Sequence, residues 1–422
     1  MQRTTQTTAP VRRRRVFYIP GFDPAPPRRY RELYRREATA QAAISGHSIE
    51  MAARPDTNGF GWAVTAVIDG HHVRTEFEVL VWSDIVRKSM GGGIVSTYGQ
   101  MLRTAWIYMF SGALFRLARL RKGPVIAALY PVVALLAELA FAVLVGRLVA
   151  SLCRFGVDLI GTAIFSPQLF EAGIVALDYG AVCAGLIAAF LVMRVFKRYD
   201  GHIFAHYLMN DYAFTAQLWG AYPPELEMRL AQFRGAIGGA LAGDFDEVLV
   251  VGHSSGVHLA VSVLADVQRA GGGAAPLGFL SLGQVVPMVS FLPAAHRLRG
   301  DLHFLCRDAS LTWIDVTAPG DGCAFALCDP VAVTGVAAPG KRWPLVISAA
   351  FSQTLSPQKW QALRRRYFRL HFQYLCAFDR PGDYDYFAIT AGPFSLAARF
   401  AGRSPSKSRI ETPTSGFNGL VA

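Results

Sequence analysis

Residues 252–256 read G-H-S-S-G and place a serine between two glycines. The four residues before this stretch are apolar and mostly β-branched, which predicts a strand buried on both faces. Residues 257–267 carry apolar side chains at helical spacing. A serine on a tight strand-to-helix turn presents its hydroxyl to a substrate, and the helix N-terminus favours negative charge beside it. The pattern therefore predicts Ser254, and not Ser255, as a nucleophile.

The turn flanked by Gly252 and Gly256 resembles the nucleophile elbow of the α/β-hydrolase superfamily, which includes serine esterases and lipases. The resemblance implies an α/β fold with a mostly parallel central sheet. With the apolar segments described below, the chain would be a membrane-anchored, bacterial-type member. It covers about residues 15–85 and 200–400, and the elbow is its only specific motif. The alternative is a serine in an ordinary strand-to-helix turn of another α/β protein.

A serine hydroxyl needs a base to take its proton, and histidine is the usual one. In the superfamily that the elbow resembles, the chain order is serine, then acid, then histidine. His253 and His258 lie in the elbow and on the helix behind it, and the next two histidines precede the candidate acid loop. Chain order leaves His371 as the base. The alternative is a strand histidine with a packing role.

The acid that orients this histidine is expected in a loop after a strand that follows the elbow. Residues 313–317 predict such a strand, and the loop A-P-G-D-G after it presents Asp321 between two glycines. Asp315, in the middle of the strand, is the second choice. Asp329, before a proline, is the third, with turn capping as its alternative role.

An early strand is predicted at residues 16–19, and the loop P-G-F-D-P follows it. The resemblance implies that one backbone N–H of this loop helps to bind an oxyanion, together with the N–H of Ser255. Gly21 and Phe22 occupy the position where the family often has His-Gly. The alternative is a simple strand-to-helix turn.

The composition indicates membrane contact. Hydrophobic residues make up 52% of the 422 residues, and the mean hydropathy is +0.29. Basic residues outnumber acidic ones by 42 to 30, a net charge of +12, and two basic clusters flank long apolar stretches. Anionic lipid headgroups explain these clusters better than nucleic acid, for which the chain carries no motif.

Residues 101–120 predict an amphipathic helix in a membrane interface. Residues 123–146 and 172–193 are each long and apolar enough to predict a bilayer span, although Glu138 weakens the first. The alternative is a pair of buried helices that form a hydrophobic lid. Two spans return the chain to its starting side, as one sheet built from both halves of the chain requires. Basic residues are more numerous before the first span and after the second span than in the loop between them. We therefore expect a multi-pass protein of the inner membrane whose catalytic domain faces the cytoplasm.

The predicted organisation has five parts. These are a disordered N-terminus at 1–14, the first part of the hydrolase domain at 15–100, a membrane-associated helical insert at 101–198, the second part of the hydrolase domain at 199–401, and a disordered tail at 402–422.

These residues together predict a membrane-anchored serine hydrolase that cleaves carboxylic esters, lipid esters among them, through an acyl-enzyme. The chemistry needs no metal or organic cofactor. The expected partners are the lipid bilayer and an ester or lipid-like substrate, while the oligomeric state stays open. The alternative is a catalytically inactive membrane scaffold with the same fold.

Overall fold

The structure, a computed structural model, describes residues 9–54, 59–164 and 167–420. The chain divides into two compact units. Unit 1 comprises Met1–Lys88, Trp106–Val125 and Thr215–Ala422, and unit 2 comprises Ser89–Ala105 and Ile126–Phe214. Of the predicted disordered N-terminus at 1–14, residues 1–8 lie outside the described residues. The prediction was wrong at its end, because β1 begins at Arg13 and the Val11 N–H donates to the Pro393 carbonyl.

Unit 1 is built on an eight-stranded sheet with the order β2-β3-β4-β1-β5-β6-β7-β8. Strand β1 pairs in parallel with both β4 and β5, and β5 to β8 continue in parallel, whereas β2, β3 and β4 form antiparallel pairs. The predicted α/β class with a mostly parallel sheet is therefore confirmed. The strands are β1 (Arg13–Ile19), β2 (Ser48–Ala53), β3 (Phe60–Ile68), β4 (His71–Val79), β5 (Glu247–His253), β6 (Leu277–Leu282), β7 (Leu311–Thr317) and β8 (Leu345–Ser348).

The helices of the two units are as follows. They are α1 (Arg28–Ser45), α2 (Ser83–Ser89), α3 (Ile94–Phe110), α4 (Ala113–Leu120), α5 (Lys122–Ile164), α6 (Pro167–Arg198), α7 (Asp200–Ile203), α8 (Ala205–Ala216), α9 (Pro224–Leu241), α10 (Gly256–Arg269), α11 (Val286–Ser290), α12 (His296–Leu305), α13 (Pro330–Thr334), α14 (Phe351–Thr354), α15 (Pro357–Leu363), α16 (Tyr367–His371), α17 (Tyr386–Ala391) and α18 (Leu396–Arg399).

Strand β5 lies in the middle of the sheet, and all seven of its residues are buried. This explains its unbroken apolar run, because a parallel strand covered on both faces has no solvent side to make polar. Two charges nevertheless enter the core here. Arg14 of β1 is fully buried, and its Nε lies 2.6 Å from a carboxylate oxygen of Glu247.

Two further segments differ from the sequence prediction. Tyr367–His371 is a short helix, so His371 does not lie on the strand that its alternative packing role assumed. Five residues are too few for a helical period to show in the sequence. In the predicted disordered tail, residues 402–420 are held by backbone hydrogen bonds. Ser406 N–H donates to the Val346 carbonyl over 2.9 Å, and Ile410 N–H donates to the Leu327 carbonyl over 2.7 Å. The tail therefore follows the end of the sheet near β8.

Unit 2 contains α6 and α5 from Ile126 onward, the two most apolar helices. Lys122–Ile160 and Val175–Arg198 are long and apolar enough to cross a bilayer, by length and composition alone. The first is longer than predicted, since residues 147–160, assigned to a connecting loop, continue α5. No proline interrupts the chain between Pro131 and Pro167, so nothing in the sequence forces α5 to stop earlier.

Inside unit 2, α5 and α6 cross at two glycines. A Cβ on Gly146 would lie 2.7 Å from the Gly185 carbonyl oxygen, and one on Gly185 would lie 2.5 Å from the Gly146 carbonyl oxygen. Ala150 and Ala189 follow each glycine by four residues and pack at the same crossing. Small residues at this spacing let membrane helices approach closely.

Glu138, the acidic residue within the first predicted span, is 5% exposed. Its Oε2 lies 3.4 Å from Nε2 of His206 on α8, which is equally buried. A carboxylate within a membrane span costs free energy, and the sequence indicated no partner for it. The structure supplies that partner from a helix outside the predicted spans, and pairing is the usual way in which such a group is accommodated.

Candidate active site

Ser254 lies on the turn between β5 and α10 with φ at 57°, a left-handed conformation that costs free energy for a residue with a side chain. The flanking glycines are required sterically. A Cβ on Gly256 would lie 2.2 Å from the Ile19 carbonyl oxygen, and one on Gly252 would lie 2.9 Å from Cα of Val257. The turn therefore has the strain and the close strand–helix packing that an elbow demands.

His371 and Asp321 lie together at the carboxyl edge of the sheet. Nδ1 of His371 is 2.7 Å from Oδ2 of Asp321, and both side chains are buried. Asp321 follows β7 as predicted, while His371 ends α16. Chain order had selected His371, and the loop after a predicted strand had selected Asp321, although the two positions are 50 residues apart in the sequence.

The carboxylate of Asp321 is held by more than the histidine. Tyr374 donates its hydroxyl hydrogen to Oδ2 over 3.0 Å, and the Cys323 N–H donates to Oδ1 over 2.9 Å. Burial alone raises the pKa of Asp321, but the His371 imidazole and these donors outweigh burial, so its pKa lies below the usual value. Asp321 is consequently ionised at neutral pH and fitted to orient an imidazole and stabilise its charged form.

The imidazole of His371 lies beside the elbow. The ring of His253, the residue before Ser254, is centred 4.8 Å from the His371 ring. Gly283, at the end of the neighbouring strand, is also close, since a Cβ there would lie 3.0 Å from Cε1 of His371. Within residues 9–54, 59–164 and 167–420, the Ser254 hydroxyl forms no hydrogen bond. In unliganded active sites the hydrogen bond between a serine and its base is often long, and it shortens when substrate binds.

The loop after β1 packs against the elbow. A Cβ on Gly21 would lie 3.0 Å from Cβ of Ser254, and the Phe22 N–H donates to Oγ of Ser255 over 2.9 Å. The Phe22 amide is therefore engaged with a neighbouring side chain. The backbone N–H groups of Ser255 and Gly21 donate to no residue in the described part of the chain. Of the three predicted oxyanion donors, these two therefore have an N–H group that is not used by another residue of the described chain.

Asp315 and Asp329, the other two acids considered, have different partners. Asp315 lies within β7 and accepts a hydrogen bond of 2.6 Å from the Ser281 hydroxyl. Burial raises its pKa to about 8, so it is protonated at neutral pH. Asp329 caps α13 through the amides of Val331 and Ala332. Neither carboxyl contacts His371.

One group of side chains in the described residues has the types and proximity for a metal: Asp321, Cys323 and His371, whose ligand atoms lie within 4.8 Å of one another. The geometry favours a different use. Nδ1 of His371 already bonds to Asp321, and burial raises the pKa of the Cys323 thiol, so its thiolate is disfavoured.

Two contributors to the site were missed from sequence. Tyr374 holds Asp321, and His253 donates from Nε2 to the His371 backbone carbonyl over 2.9 Å. The spacing of Tyr374, three residues after His371, was an available signal, because residues three apart share a face of a helical turn. Nothing local pointed to the contact of His253 with a residue 118 positions away.

Comparisons with protein-family models, with curated proteins and with solved structures gave no match to this chain.

Proposed function

We propose that the protein is a serine hydrolase with the α/β-hydrolase fold, which cleaves carboxylic esters through an acyl-enzyme. The observation that carries the proposal is the buried 2.7 Å bond between His371 and an ionised Asp321, set beside a strained serine turn. Few structural roles call for a left-handed serine, a neighbouring imidazole and a buried carboxylate at one sheet edge. Such strain concentrates at functional sites.

In the proposed mechanism, Ser254 Oγ attacks the ester carbonyl carbon while His371 takes its proton. The tetrahedral oxyanion binds to the N–H groups of Ser255 and Gly21. The alcohol leaves with the proton from His371, and water then repeats the sequence to release the acid and restore Ser254. Asp321 keeps the imidazole in the tautomer that accepts the proton and stabilises its cation.

Membrane anchoring is part of the proposal. It is supported by the length and hydropathy of two helices together with the basic residues that flank them. These flanks favour a catalytic unit on the cytoplasmic side.

The test is labelling of the full-length protein by a fluorophosphonate, which reacts with activated serines. We expect wild type to be labelled and Ser254→Ala and His371→Ala not to be. Ser404→Ala and His72→Ala, which change exposed residues away from the site, serve as controls and should label like wild type. A folded wild-type protein that resists labelling would favour the catalytically inactive scaffold.

A further inference from the structure

An exposed apolar face lies on the part of unit 1 that precedes α5. Trp106, Phe110 and Phe115 are 55%, 66% and 61% exposed, and Met109 is exposed beside them. The Trp106 and Phe110 rings stack on each other with centroids 3.7 Å apart. Arg119, four residues after Phe115 on α4, and Lys122, at the start of α5, are exposed. We call the surface formed by Trp106, Met109, Phe110 and Phe115 the aromatic face.

The opposite side of the same segment packs against the rest of unit 1. Ile107, Ala113 and Leu117 are almost completely buried, and Tyr108 donates its hydroxyl hydrogen to the Met288 carbonyl over 2.9 Å. The aromatic face is thus the outer side of a segment whose inner side is anchored. It cannot be buried by a rotation of the helices without breaking these contacts.

The segment also reaches the acid loop of the candidate active site. The Nε of Arg121 donates to the Ala326 carbonyl over 2.9 Å. A Cβ on Gly123 would lie 3.2 Å from the carbonyl oxygen of Gly322, the residue after Asp321. The start of α5 therefore touches the loop that holds the proposed acid.

We propose that the aromatic face docks on an anionic lipid leaflet and that the site takes an acyl ester directly from that leaflet. The substrate part of this inference rests on the proposed function. Tryptophan and phenylalanine beside basic residues suit the headgroup boundary. Arg121 is extended between α4 and α5, and α5 begins directly after it and leads into the 39-residue apolar stretch Lys122–Ile160. A helix that enters the bilayer there brings Gly123, and with it the Asp321 loop, to the headgroup layer.

The docking is tested with the full chain in vesicles of phosphatidylcholine with phosphatidylglycerol, using acyl chains brominated near the headgroup as tryptophan quenchers. We expect brominated lipid to quench wild type more than Trp106→Phe, because the variant lacks the tryptophan at the leaflet. Trp219→Phe, which removes another partly exposed tryptophan, is the control and should keep the wild-type quenching. Equal quenching of wild type and Trp106→Phe would overturn the docking and point to a protein occupant.

The substrate source is tested with two esters, p-nitrophenyl butyrate in water and p-nitrophenyl palmitate carried in the vesicles. For the double variant Phe110→Ser with Phe115→Ser, we expect palmitate hydrolysis to fall about tenfold while butyrate hydrolysis stays within about twofold of wild type. Phe394→Ser, an exposed phenylalanine outside the face, should change neither rate.

An equal fall for both esters, or no fall for palmitate, would overturn the inference. If wild type hydrolyses neither ester and resists the fluorophosphonate, the proposed function fails and the leaflet-substrate inference fails with it. The quenching result still decides the docking, since it needs no catalytic turnover.

Discussion

The imidazole of His253 donates from Nε2 to the backbone carbonyl oxygen of His371 over 2.9 Å, so the residue before the proposed nucleophile is bonded to the proposed base. A carbonyl can only accept, which fixes the tautomer of His253. Burial, and next the nearby His371, lower the pKa of His253 to about 3, so it stays neutral through the working range of most enzymes. We therefore propose that His253 is a positioning residue, which would act on the reaction through His371.

We expect His253→Phe to lower the rate of fluorophosphonate labelling about tenfold, since the ring volume remains but the donor to α16 is lost. His253→Gln retains an N–H donor and should recover part of the rate. Labelling by both variants at the wild-type rate would show that the hydrogen bond does not position His371. Circular dichroism of each variant checks that the fold is retained.

The glycine at position 283 is expected to be essential for activity. Gly283 has φ at 54°, and a Cβ there would lie 2.8 Å from Cε2 of Tyr374 and 3.0 Å from Cε1 of His371. Gly283→Ala should displace both rings and reduce labelling by about 10²-fold, because small misplacements of catalytic groups are costly.

Gly340→Ala is the matched control for this substitution. Gly340 has φ at 76°, but a Cβ there meets nothing within 4 Å, so the variant adds backbone strain without a clash. A similar loss in both variants would trace the effect to strain and not to the displaced rings.

The two aspartates of the β7 region should respond differently to removal of charge. Asp321→Asn should abolish labelling, because the amide cannot stabilise the charged imidazole. Asp315→Asn should label normally, because burial raises the pKa of Asp315 to about 8 and the native carboxyl is already neutral at pH 7. The reverse outcome would assign the acid to Asp315.

Asp315 also predicts how stability depends on pH. Its folded pKa of about 8 lies above the unfolded value, so the folded chain keeps a proton that the unfolded chain releases above about pH 4. This contribution to stability is complete below about pH 4 and is lost as the pH rises to about 8. Asp315→Asn should therefore unfold at a higher temperature than wild type at pH 8, by a difference that shrinks at pH 5. Thermal unfolding in detergent at both pH values measures this.

The buried pair in unit 2 should matter for stability and not for chemistry. Glu138→Ala leaves His206 buried without its carboxylate neighbour, and removal of one partner from a buried pair is expected to lower the free energy of unfolding. The double variant Glu138→Leu with His206→Leu should be more stable than the single one. Unfolding in detergent compares them, and a single variant as stable as wild type would show that the pair contributes nothing. The fluorophosphonate labelling of the folded variants should not change.

The sequence predicted those features that depend on residues close together in the chain. The strand, turn and helix around Ser254 carry their own periodicities and glycines, and the loop of Asp321 follows a recognisable strand. Other features depend on contacts between distant positions. The placement of β1 between β4 and β5, the bond from His253 to His371 and the partner of Glu138 all join segments that no local pattern relates. The short helix α16 could not be predicted for a further reason, because its five residues form little more than one turn.

The pairing of β1 with β5 has a consequence for biosynthesis. Arg14 and its partner Glu247 are 233 residues apart, and both α5 and α6 lie between them in the chain. At about 5–20 residues per second, a ribosome needs roughly 10–50 s to deliver the second strand after the first. Throughout that interval β1 has an unpaired edge, which is a site for wrong strand pairing. The apolar helices thus emerge before the sheet can close, and the nascent chain must keep its first half from aggregating until the serine strand arrives.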